Sequence, residues 1–231
     1  MTPSGVAGLA LGAVFTAALA VRRPRTLHPH GAVLEGTVRW RMQVPASGIG
    51  WVDEPPPGGE QAVRARMSKA AGTPWRLPDG IGLALKLATP GGPADVLLVS
   101  VAGFAPRLRS AVWPSVSPSR PLMTTVFPYR TPRGPVLVGA RPRSPERLSP
   151  RPEPFAAALR DEPWVLDLLH GSISSRWHRF ATLTLHPVPA RLDDPHLRFH
   201  PVRHPLPGSE PYPVWARLRD ASYTWPQRLA P

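Results

Sequence analysis

RTLHPHGAVLEGTVRWRM, residues 25–42, decides how the chain is read. Its later half alternates apolar and polar residues, the period-2 signature of a half-buried strand, and a strand is expected over Ala32–Met42. Gly31 and Gly36 punctuate that strand, and with no Cβ they let another surface approach the backbone closely. His28 stands just before the strand, where its imidazole can face a flat cofactor. Arg25, three residues earlier, has the forked guanidinium that grips a carboxylate bidentately.

Outward from this stretch the same strand signals recur. Gln61–Ser68 alternates. Ile81–Ala88 and Asp95–Ala102 are apolar runs of strand length bounded by Pro and Gly, with further strands expected over Leu122–Pro128, Gly134–Ala140 and Trp177–His186. Arg141–Pro154, with proline every few positions, reads as an exposed linker. Pro154–His170 reads as the main interior helix, because Phe155, Leu159, Leu166 and Leu169 fall near helical spacing; Pro163 would kink or divide it. His196–Pro213 reads as an extended Pro- and His-rich arm, and Val214–Trp225 as a terminal helix stopped by Pro226. The class expected is α+β, an antiparallel β-barrel with flanking helices.

The 231 residues suffice for one large domain or two small ones, and 42% hydrophobic content allows a sizeable core. With 34 prolines and 19 glycines, short strands joined by turns are favoured over long helices. Cysteine is absent, which excludes disulfides, thiolate ligands and a cysteine nucleophile. A net charge of +13 raises nucleic acid or an anionic membrane surface as partners. The arginines are scattered, however, and only Lys69 and Lys86 are lysines, so the balance reads better as coding bias than as a nucleic-acid site. Gly5–Val21 is an uncharged apolar run followed by Arg22, Arg23 and Arg25. It is short for a membrane span, which needs ~20 residues, and lacks the basic start of a signal peptide. It is expected to pack on the domain or touch a membrane surface, in an otherwise cytoplasmic protein. The division is an apolar segment over 1–24 and one domain over 25–231.

A second chemical signal lies near the end of the chain. Arg219 precedes Tyr223 by four residues, so on a helix the guanidinium sits against the phenol. A cation there stabilises the phenolate, and tyrosinate is a competent axial ligand for ferric haem. A third is Arg66-Met-Ser68, an arginine able to bind carboxylate beside a hydroxyl. His196, His200 and His204 recur at zinc-like intervals, but Pro201 and Pro205 forbid a regular helix and argue against a metal site. No Gly-x-Ser-x-Gly elbow marks a hydrolase, and Asp53-Glu54 read as solvated loop carboxylates.

These stretches together resemble the catalase superfamily, specifically its small catalase-like haem-protein branch. The family carries Arg-x-x-His-Ala-(Lys/Arg)-Gly-x-Gly-x-x-Gly-Thr-Phe. Arg25, His28, Gly31, Gly36 and Thr37 match it, while Val33 and Val38 depart. The family's Arg-Phe-Ser is similar to Arg66-Met67-Ser68, and its Arg-Gly-Phe-Ala-x-Lys-Phe to Ile81 through Leu87. Its Pro-Gly-x-Glu-Pro-Ser-Pro and Arg-x-x-x-Tyr resemble Pro207–Pro213 followed by Arg219 and Tyr223. The resemblance implies one haem b, with Tyr223 as the iron ligand and Arg219 as its charge support. His28 would be the distal proton relay, and Arg25 and Arg66 would hold the propionates, with the Ser68 hydroxyl beside them. It implies a haem-dependent oxidoreductase acting on peroxides, a weak catalase or organic-peroxide peroxidase drawing on an unidentified electron donor. It is compatible with an oligomer, and the scattered arginines give no expectation of a specific nucleic-acid partner. The family's peroxide-orienting asparagine pair falls here at Val99 and Ser100. That departure leaves open a non-catalytic haem carrier or a degenerate relative.

Overall fold

The computed structural model describes residues 30–188, 192–194 and 197–212. Ten antiparallel strands dominate it. They are β1 (Gly31–Trp40), β2 (Glu60–Lys69), β3 (Ile81–Thr89), β4 (Gly92–Ser100), β5 (Met123–Thr124), β6 (Tyr129–Thr131), β7 (Gly134–Ser144), β8 (Trp164–Ser172), β9 (His178–Pro187) and β10 (Glu210–Pro211). Eight of them close a ring in the order β1-β2-β3-β4-β5-β7-β8-β9, with β9 returning to β1 and β7 pairing β8. β6 and β10 extend one edge of β7 outside the ring. The expected antiparallel barrel is present. Flanking helix is sparse among the described residues: α1 (Gly50–Asp53), α2 (Pro152–Ala158) and two short 3-10 turns.

Period-2 alternation builds the barrel. Val63, Ala65 and Met67 of β2, Ile81, Leu83, Leu85 and Leu87 of β3, and Val96 and Leu98 of β4 all point inward and are buried. Eight strands leave an interior just wide enough for side chains to fill, and large residues alternate with Ala32, Ala65 and Ala140 to do so. The loop before β2 covers one mouth. Asp53 fixes it by accepting from the Ser47 and Gly48 amides, each at 2.7 Å. Trp51 of α1 then enters the core edge-on against Trp40 and Phe180, at 5.7 and 5.3 Å between ring centroids.

Three expectations are corrected. Pro154–His170 is not one helix: α2 ends at Ala158, and Trp164–Ser172 is strand β8. The strand is buried on both faces, so apolar residues occupy both, broken by Asp167, and no clean period of two shows. Leu166, Leu168 and His170 face inward, while Leu169 packs outward against Val101, Val112, Leu122 and Val126. Arg141–Pro154 is not all linker, because β7 continues to Ser144 along β8; Pro142, lacking an N–H, sits at the register shift where the ladder can spare it. The strand expected over Leu122–Pro128 shrinks to Met123–Thr124, because the chain turns at Val126 with φ 60°. β5 therefore contributes only two paired residues to each neighbour.

Candidate functional site

The site begins with register. Gly31 of β1 pairs Ser68 of β2, Ser68 pairs Gly82 of β3, and Gly82 pairs Val99 of β4. Four stretches read separately in the sequence thus lie on one row across four strands. Alternation places the row on the outer face of the barrel, because Met67, Ile81, Leu83 and Leu98 beside it point inward.

Arg66 shares that face. Its Nε and Nη2 each donate to a different Asp193 oxygen at 2.8 Å, a bidentate pair with Arg66 only 14% exposed. Burial opposes ionisation of Asp193, but hydrogen bonds and charge from Arg66, with the Asp194 and Gly31 amides, hold its carboxyl below the ordinary value. Gly31 makes the pairing possible: a Cβ there would stand 2.7 Å from the Arg66 guanidinium carbon. Ser68 is buried between Gly31 and Gly82. Gly36 serves differently from the sequence expectation. A Cβ on it would lie 1.8 Å from the Thr184 carbonyl oxygen, so the close approach is that of β9.

At the end of the row the β2–β3 loop folds around the other conspicuous pair. Lys69 is 2% exposed, and its ammonium donates to the carbonyls of Thr73, Pro74 and Leu77 at 2.9–3.1 Å. Burial lowers its pKa, and the Asp79 charge opposes the shift. Asp79 accepts from the Ala71, Thr73 and Gly80 amides at 2.7–2.9 Å. The loop walls a cleft of about 240 Å³ lined by His30, Lys69, Gly72, Thr73, Pro74 and Trp75. Sequence reasoning missed Lys69 and Asp79. The available signal was scarcity: the chain's two lysines both make specific contacts, Lys69 with the loop carbonyls and Lys86 with the fully buried Asp95 at 2.6 Å.

At the position of the expected asparagine pair, Val99 occupies the row and offers no hydrogen bond. The Ser100 hydroxyl donates to the Trp113 carbonyl at 2.6 Å and accepts from the Ile81 amide at 3.0 Å. His200 and His204 meet at Asp95: the His200 amide donates to Oδ2 at 2.7 Å, and His204 Nδ1 lies 2.9 Å from the same oxygen. Among the described residues no group of three or more His, Asp or Glu stands together to hold a metal ion, and no helix is long and apolar enough to cross a membrane.

Of the expected site residues, the structure brings Arg66 and Ser68 to one face of β2, beside Gly31. Arg25, His28, Arg219, Tyr223 and the terminal helix expected over Val214–Trp225 lie outside the described residues. Among the described residues the fit to a haem rests on Arg66 alone, whose bidentate grip has the geometry a propionate would use but is already taken by Asp193; Gly31, Ser68 and Gly82 of the row are buried.

No family model and no curated protein matches the sequence. Solved structures do match the fold. One, described as the structure of a bacterial catalase, aligns with a TM-score of 0.62 at 12% identity, covering 88% of this chain. The chain aligns with 56% of that catalase's length. The fold is catalase-like.

Proposed function

We propose that this chain binds haem against the outer row Gly31–Ser68–Gly82–Val99 and reacts with peroxides as a weak catalase or organic-peroxide peroxidase. The observation that carries the reading is the row itself. Stretches resembling catalase motifs, far apart in sequence, converge on one patch of a catalase-like barrel. In this reading Tyr223 ligates the iron, Arg219 stabilises its phenolate, and Arg25 and Arg66 hold the propionates. Haem supplies the redox chemistry when bound. The chain's own part is to bind and orient the group and to move one proton: the His28 imidazole takes it from peroxide and returns it to the departing oxygen.

A second reading, a haem carrier without turnover, is favoured by Val99 and by the commitment of the Ser100 hydroxyl to backbone partners. Titration of the purified chain with haemin separates the readings. Binding with a Soret shift, lost in Tyr223→Phe and kept in His28→Ala, supports the proximal assignment. Peroxide turnover lost in His28→Ala and raised in Val99→Asn supports the enzyme. Haem binding without turnover in either wild type or Val99→Asn supports the carrier. A wild-type chain that binds no haemin refutes both.

A further inference from the structure

Between Asp95 and Glu146 the chain carries seven arginines and no carboxylate, although Arg130 pairs Glu210, Arg143 pairs Asp167 and Arg109 is buried. Within that span the long β4–β5 loop, residues 101–122, bares Phe104, Leu108, Trp113 and Val116, at 45, 39, 61 and 54% exposure. Arg107 and Arg120 are exposed on the same loop. Arg141 of β7 lies over the Phe104 ring at 5.5 Å.

The loop is a built platform. Arg109, 4% exposed, donates to the Phe104 carbonyl at 2.9 Å and to the Ser172 carbonyl at 2.6 Å, and stacks on Trp177 at 4.7 Å. That ties the loop to the β8–β9 hairpin, whose Ile173 is also exposed. At its other end Asp79 and Ser115 exchange both backbone hydrogen bonds, at 2.7 and 3.1 Å, joining the loop to the β2–β3 loop and its exposed Leu77. Val101, Val112 and Leu122 anchor it beneath. Apolar side chains held outward by such anchoring are displayed.

We propose that this loop is the face by which the protein docks on an anionic phospholipid bilayer. Clustered exposed apolar residues mark an interaction surface. Arginine beside Trp, Phe and Leu is the composition of an element that sits in the headgroup–acyl boundary, where basic groups meet lipid phosphate and apolar ones leave water. A second copy of the chain would set arginine against arginine. A nucleic acid would match the charge and stack on Trp113, but would leave Leu108 and Val116 without an apolar partner. The proposal is independent of haem and of residues 5–21.

The chain has no cysteine, so single cysteines can be placed and labelled at will. An environment-sensitive fluorophore at Val116→Cys in the full chain is mixed with phosphatidylcholine vesicles, with and without 30% (roughly) phosphatidylglycerol. A control label at Gly91→Cys uses the exposed β3–β4 turn, where an added Cβ meets nothing within 4 Å. The expected result is a blue shift and several-fold brightening at 116 with anionic vesicles alone, and none at 91. Arg107→Gln with Arg120→Gln should weaken partitioning roughly thirtyfold at low salt. A silent 116 label overturns the proposal even when the protein sediments with vesicles, because another segment then makes the contact. No sedimentation, or a response at 116 to a DNA oligonucleotide but not to vesicles, overturns it equally.

Discussion

Asp95 is the sharpest place to test the packing of the arm that crosses the barrel. Its side chain is fully buried on β4 and accepts from Lys86 at 2.6 Å, from His204 Nδ1 at 2.9 Å and from the His200 amide at 2.7 Å; its own amide donates to the His204 carbonyl at 2.9 Å. Asp95→Leu keeps the branching and the number of side-chain heavy atoms and removes the acceptor. Stripping one partner from a buried ion pair costs about 3–5 kcal/mol. Lys86 is 25% exposed and can recover some water, which places its share near the lower bound. The orphaned His200 amide adds roughly 1 kcal/mol. The expected loss is therefore about 3–4 kcal/mol, read by urea denaturation at neutral pH. Lys86→Met together with Asp95→Leu removes the stranded charge and should recover about 2 kcal/mol of it. The arm should also loosen before the barrel melts, so trypsin should nick Asp95→Leu at Arg198 or Arg203 under conditions that leave the wild type whole. A single-variant cost below about 1 kcal/mol, or a double variant no more stable than Asp95→Leu, would refute this account of the anchor.

Two further outcomes follow from the geometry. Gly36→Ala places a methyl 1.8 Å from the Thr184 carbonyl oxygen, a contact that only separation of β1 from β9 relieves. It should cost at least about 3 kcal/mol in the same denaturation assay, with or without haemin, whereas a cofactor contact at Gly36 would spare the apo protein. His170, 3% exposed on β8, has its pKa lowered to about 4, first by burial and then by the His178 charge, with ring centroids 5.4 Å apart. A histidine held neutral in the fold binds fewer protons than the unfolded chain below about pH 6.5. Stability is thus full above that value and falls as pH drops towards 4, by up to about 3 kcal/mol. His170→Gln should flatten that acid limb in a series of thermal melts, and an unchanged limb would remove His170 as its cause.

How far the sequence carried the fold depended on which faces were buried. β2 and β3 alternate because one side meets the core and the other meets arginine, lysine and solvent, so Gln61–Ser68 and Ile81–Ala88 were legible to within a residue or so of their ends. β8 was not. Leu169 meets an apolar cluster on the outside as Leu168 does on the inside, and a two-sided strand has the apolar density of a buried helix. The short β5 depends on the turn at Val126, a β-branched residue at positive φ that no composition rule anticipates. At the site, Arg66 and Ser68 were legible as a pair two residues apart and therefore on one face. Asp193 was not, because it lies 127 residues from Arg66 and only the closed barrel brings it near. Gly36 was read as a close approach and is one, but the approaching surface is protein.

The ring is unevenly sewn. Six of its seams run over seven or more paired residues, while the two flanking β5 have two pairs each. What backs that gap is the apolar cluster of Val101, Val112, Leu122, Val126 and Leu169, lying outside the barrel. These side chains act as a patch over a weak stave. Trimming Val112 or Leu169 would therefore do more than dent an outer surface. It would let the cylinder part between β4 and β7, and amide deuterium exchange should register the opening first at Met123 and Thr124.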